Sequence, residues 1–211
     1  MGQFLRAHAV IAPVITTNLS QVSALAGPLY VVTGVLLVAG LAKITTPSPT
    51  ATALRILRIP APLVAARLLG AAEVVLAVAA VAFGAPVLWA LVAAAYAGFT
   101  VFVLWALQAD EAVGSCGCFG QEDTPPTPGH AAFNAAAAAL AALAIADPVR
   151  LGDFDGSAVE GVLLAALTVA GVALSVLAMT RLPRLLALVH GTAAPVVPTF
   201  GITDSASKGT Q

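Results

Sequence analysis

The chain has 211 residues, of which 60% are apolar and only 9% charged, with a net charge of −1 and a mean hydropathy of +0.99. A water-soluble domain carries about 25% charged residues, so nine basic and ten acidic side chains cannot cover a soluble surface of this size. The chain therefore belongs in the lipid bilayer, and with no basic stripe to neutralise phosphates it is excluded as a nucleic-acid binder.

Residues 1–23 read as an irregular or surface-lying leader. Arg6 precedes a stretch broken by Pro13 and Asn18, and no cleavage site follows an apolar run. Five segments then qualify as membrane spans, because a hydrocarbon core of roughly 30 Å needs about 20 apolar residues in a helix. They cover residues 24–44, 63–83, 86–107, 130–146 and 158–180. The expected fold is an all-α integral membrane protein: a four-helix transmembrane bundle over 24–146 plus a fifth, C-terminal transmembrane helix over 158–180. Continuous apolar runs of this kind satisfy their backbone in lipid only as helices. The fourth span is short and alanine-rich, and alanine at such density points to close helix packing.

The connections differ in character. Between spans one and two, residues 53–59 predict a short amphipathic helix lying on the bilayer, set among Pro47, Pro49, Pro60 and Pro62. Gly84-Ala85-Pro86 predicts a tight turn that makes spans two and three antiparallel neighbours. Residues 108–129 form a polar loop with four glycines and three prolines. Residues 190–211, rich in Pro, Gly, Ser and Thr, read as a disordered tail.

The polar loop carries both cysteines of the chain, in Ser115-Cys116-Gly117-Cys118-Phe119-Gly120. Residues two apart can bring their Cα atoms within the range a disulfide tolerates, and Gly117 permits the unusual backbone of so small a ring. A strained bridge is easily reduced, so Cys116 and Cys118 are the candidate redox pair. Asp110, Glu111, Glu122 and Asp123 surround them without a local cation, which disfavours the thiolate. Two unpaired loop cysteines are the plain alternative. A metal site built on Cys116, Cys118 and His130 is weaker, because structural zinc takes four ligands.

Ionisable residues deep in a span are rare and face the bundle interior. Glu73 lies deep in span two, about two turns past Arg67 at its entrance. Lys43 closes span one on the same side, and Arg67 opens span two. Six residues separate Arg67 from Glu73, which puts them on different faces of one helix, so Lys43 is the better partner. The pair reads either as a structural interhelical bridge or as a proton relay or polar contact to a quinone. Asn134, near the start of span four, reads as an interhelical hydrogen-bonding or loop-capping residue. Trp89, Tyr96 and Trp105 read as packing or interfacial aromatics.

Positive charge argues orientation. With five crossings, Lys43, Arg55, Arg58, Arg67, Arg181, Arg184 and Lys208 share one side, and Arg6 and Arg150 the other. That places the cysteine loop in the cytoplasm, whereas disulfides persist outside it. The two criteria oppose each other. Either the thiols relay electrons from a cytosolic reductant or the orientation is reversed.

The order Ala39-Gly40-Leu41-Ala42-Lys43, Arg67 with Glu73, Cys116-Gly117-Cys118-Phe119-Gly120 and Asn134 resembles the MauE family, grouped with DoxX-like redox-associated membrane proteins. The resemblance covers residues 24–146, and the Cys-Gly-Cys-Phe-Gly stretch is its most specific part. Phe133 stands where the family pattern leads one to expect an arginine. The resemblance implies a membrane redox protein for the cell membrane that works with a thioredoxin-like protein to form or mature the disulfides of an exported client protein. In the eponymous case that client is the small subunit of methylamine dehydrogenase. Two rivals remain: a non-enzymatic membrane scaffold or chaperone, and, further off, a small-solute transporter supported by Glu73 alone.

Overall fold

The structure is a computed structural model that describes residues 25–109, 126–150 and 157–189, with side chains described as far as Arg181. The leader, the tail and the Cys116–Cys118 segment lie outside the described residues. Everything described is helix or short connection, with no strand. Five of the helices are long and apolar enough to cross a membrane: α1 (Leu25–Thr45), α3 (Pro62–Phe83), α4 (Pro86–Gln108), α5 (Pro128–Ala146) and α6 (Ala158–Val189). Between α1 and α3 lies the short α2 (Ser48–Ile56). The protein is thus an all-α, multi-pass membrane protein.

Helices α1, α3, α4 and α5 share one core. Leu29, Val32 and Leu36 of α1 meet Ala77 and Ala80 of α3, Trp89, Val92 and Tyr96 of α4, and Ala137, Ala141 and Ala144 of α5. The alanines of α5 are what let it lie close along α4. This short helix runs the length of α1. At its start His130 shares a cavity with Lys43 near the end of α1. Just past its end, the Arg150 carbonyl accepts a hydrogen bond from Tyr30, near the start of α1, at 3.3 Å.

The turn between α3 and α4 has a physical reason to carry glycine. Gly84 adopts φ 62° and donates its N–H to Ala80 O at 2.9 Å. A Cβ there would stand 2.7 Å from Arg150 Cβ. The left-handed backbone disfavours a side chain, and the close approach leaves no room for one.

Two expectations need correction. The short helix begins five residues earlier than the sequence suggests. Pro49 sits in its first turn, where a missing N–H costs nothing, and Arg58 at φ 56° ends it before Ile59. Its buried face is Pro49, Thr50, Ala51 and Ala53, and it packs on α3. Helix α6, expected to end at 180, continues to Val189. Arg181 ends the apolar run, but hydropathy marks only the part suited to lipid, whereas backbone hydrogen bonding sets helix length.

α6 stands apart from the other four. None of its apolar stretch is buried. It touches α1 where Gly34 faces Val172 and Gly171 faces Val31. Its start is fixed by a capping box: Ser157 N donates to Glu160 Oε2 at 2.7 Å, and Glu160 N donates to Ser157 Oγ at 3.4 Å.

Tyr96 ties α4 to α1 inside the core. Its hydroxyl donates to Val32 O at 2.6 Å, and its ring meets Phe99 and Phe133 edge-on. Tyr96→Phe keeps the ring and removes the donor. It is expected to cost about 1 kcal/mol, read as a lower thermal midpoint in lipid nanodiscs. An unchanged midpoint would show that this hydrogen bond does not hold the two helices.

Candidate functional site: a buried ion pair at the head of an apolar cavity

The helices that carry ionisable residues meet where two glycines face each other. A Cβ on Gly40 would stand 2.7 Å from Gly70 O, and one on Gly70 would stand 2.6 Å from Gly40 O. The backbones of α1 and α3 therefore touch, as small residues allow in membranes. Three residues beyond each glycine, nearly one turn, stand Lys43 and Glu73. The crossing thus sets their separation. Lys43 Nζ donates to Glu73 Oε2 at 2.8 Å, with side chains 5% and 3% exposed. The ammonium also lies 5.4 Å from the centre of the Phe99 ring, a cation–π distance.

The other carboxylate oxygen, Glu73 Oε1, is buried with no hydrogen-bond partner among the described residues. Glu73 lines a cavity of about 420 Å³. Lys43, Glu73, His130 and Asn134 line the polar part, and Tyr96, Phe99, Phe102 and Phe133 provide aromatic walls. Thr50, Ala53, Leu54 and Leu57 place α2 across one end, and Met179 brings α6 to the same place.

His130 is held by the start of its own helix. Thr127 is the N-cap, accepting from His130 N at 3.4 Å, and its hydroxyl lies 2.7 Å from His130 Nδ1. With one hydrogen and two lone pairs, that hydroxyl serves both the backbone N–H and the ring nitrogen in either tautomer. Nε2 is buried with no hydrogen-bond partner among the described residues.

The structure therefore brings Lys43, Glu73 and Asn134 into one cavity. It does not bring Arg67, whose side chain is exposed one face round α3. Capping of α5 falls to Thr127 and not to Asn134. Trp89 is fully buried in the core, and Trp105 is 39% exposed. Sequence reasoning missed the roles of His130, Phe99, Phe102 and Phe133. Only the Thr127-Pro128-Gly129-His130 helix start offered a signal. Among the described residues no group of three His, Cys, Asp or Glu side chains could hold a metal ion.

Cys116 and Cys118 belong to the connection from the end of α4 to the start of α5. Phe99 and Phe102 late in α4, and His130 and Asn134 early in α5, are cavity residues. By connectivity, the cysteine segment joins the bundle at the cavity end.

No curated protein and no solved structure matches this chain. A family model described as "Methylamine utilisation protein MauE" matches residues 21–147, more than half of the chain. The matched stretch contains α1 to α5 and the Cys-Gly-Cys motif and ends before α6, so the chain belongs to the MauE family.

Proposed function

We propose that this is a redox protein of the cell membrane whose Cys116–Cys118 pair undergoes thiol–disulfide exchange in support of disulfide formation in an exported client. The family's description carries over as a setting, methylamine utilisation. The observation that supports the reading is positional. The only two cysteines of the chain lie on the connection that joins the bundle beside its one buried ion pair among the described residues.

The exchange balances within two proteins. A thiolate of a thioredoxin-like partner attacks one sulfur of the Cys116–Cys118 disulfide, and the other sulfur leaves as a thiolate. The second partner thiolate then attacks the mixed disulfide. The partner leaves oxidised, ready to oxidise its client, and Cys116 and Cys118 are left reduced. An acceptor must then take two electrons from them.

Thiol labelling in intact cells tests this. A membrane-impermeant maleimide, applied before and after reduction, is expected to label Cys116 and Cys118 from outside only after reduction. Cys116→Ser is expected to abolish the reduction-dependent adduct at Cys118 and to lower the oxidised fraction of the client. Thiols that stay free in every condition, with client disulfides unchanged in Cys116→Ser, would replace this reading with the scaffold.

A further inference from the structure

The geometry points to a binding site for a lipid-borne quinone in the cavity headed by Lys43 and Glu73. This deepens the proposal above, and it rests on that proposal only for the ligand's role as electron acceptor.

The first argument is the mouth of the cavity. α4 packs along α5, whereas α3 and α4 meet over a shorter stretch. Ala72 of α3 and Ala94 and Gly98 of α4 line the cavity and are themselves exposed. A Cβ on Gly98 would meet nothing within 4 Å. All three residues lie within spans, so the opening faces hydrocarbon and not water. A ligand reaching this site comes from the bilayer.

The second argument is the polar head. Glu73 is 3% exposed, and its Oε1 has no partner among the described residues. An unmet buried carboxylate oxygen is costly, and a ligand hydroxyl would meet it. The hydroxyl of a hydroquinone supplies that donor. The Lys43 ammonium beside it gives positive potential for the carbonyl oxygens of the oxidised form and for charge that builds there on reduction. An acyl chain would satisfy neither group.

The third argument is shape. Phe99, Phe102 and Phe133 make flat apolar walls, suited to a planar ring by offset or edge-on contact. The volume of about 420 Å³ lies within the usual range for small-ligand pockets. It holds a ring and the first units of a tail whose remainder leaves through the mouth. In the redox cycle, two S–H bonds break and the Cys116–Cys118 bond forms. The two electrons and two protons convert both quinone carbonyls to hydroxyls.

The test uses the full-length protein in phospholipid nanodiscs, titrated with decylubiquinone while tryptophan fluorescence is read. The chain has two tryptophans, and Trp105 lies 5.9 Å from Phe102 of the cavity wall. Saturable quenching is expected. Gly98→Phe adds a ring at the mouth from a position where a Cβ meets nothing, so it should keep its thermal midpoint while weakening binding about tenfold or more. The double variant Lys43→Met/Glu73→Leu should weaken it about as much, through loss of a hydrogen bond to a charged group. Quenching that rises linearly, or that saturates equally in all three proteins, overturns the site. The two proposals fail separately. Saturable binding with cysteines that never leave the thiol state removes the exchange reading and keeps the site; cycling thiols without saturable binding do the reverse.

Discussion

Lys43→Met is expected to destabilise the protein by about 3–5 kcal/mol, the cost of leaving one member of a buried ion pair without its partner. Lys43 and Glu73 are 4% and 3% exposed, so neither water nor lipid headgroups can replace the missing ammonium. Methionine keeps the unbranched stem and most of its volume, so the loss isolates the charge. Lys43→Met/Glu73→Leu removes both charges and is expected to recover most of the stability, because apolar replacements of a buried pair are often neutral or better. Unfolding in lipid nanodiscs, followed by tryptophan fluorescence, gives both values. A single variant as stable as the parent, or a double variant no better than the single, would remove the pair as a determinant of the fold.

Gly40→Val is expected to have the next largest effect. Its Cβ would stand 2.7 Å from Gly70 O and 2.9 Å from Val74 Cγ2. A backbone carbonyl in a helix cannot step aside, so α1 and α3 must move apart. Overpacking costs typically about 1–3 kcal/mol. Here it also stretches the 2.8 Å contact between Lys43 and Glu73, which sits one turn away, so the loss should exceed that of an ordinary core enlargement. Gly27→Ala is the control. A Cβ at Gly27 meets nothing within 4 Å, and alanine favours helix by up to about 1 kcal/mol. Gly27→Ala should unfold at or above the parent temperature, and Gly40→Val well below it. Equal midpoints for the two would show that the glycine crossing does not set the distance between α1 and α3.

The spans were legible in the sequence because lipid reduces the problem to run length and charge. Even α5, with its thin alanine signature, lies within two residues of the expected 130–146. The partnership of Lys43 with Glu73 was legible for a related reason. A carboxylate in mid-span has few counter-charges within reach, and six residues of helix turn Arg67 away. The start of α2 was not legible as read, because Pro49 signals a first turn as readily as a break. The cavity was hidden more deeply. It is a gap between helices that are distant in sequence, walled by phenylalanines whose periodicity is that of any lipid-facing or core residue. Nothing local distinguishes Phe99 or Phe133 from their neighbours. Phe133 adds aromatic wall beside Tyr96.

The ion pair also bears on how the chain enters the bilayer. Glu73 lies at the middle of α3, eleven residues from Pro62 and ten from Phe83. A lone charge at mid-span costs roughly 2.5–3.5 kcal/mol on insertion scales. Lys43, near the end of α1, can reach toward the headgroups while α1 waits alone. The burden falls on α3 and not on α1, which precedes it. α3 gains its counter-ion only by meeting a neighbour already in place, so insertion of the two spans is coupled. The glycine contact that sets the pair is then also a step in biogenesis, at which the translating chain commits to the bundle.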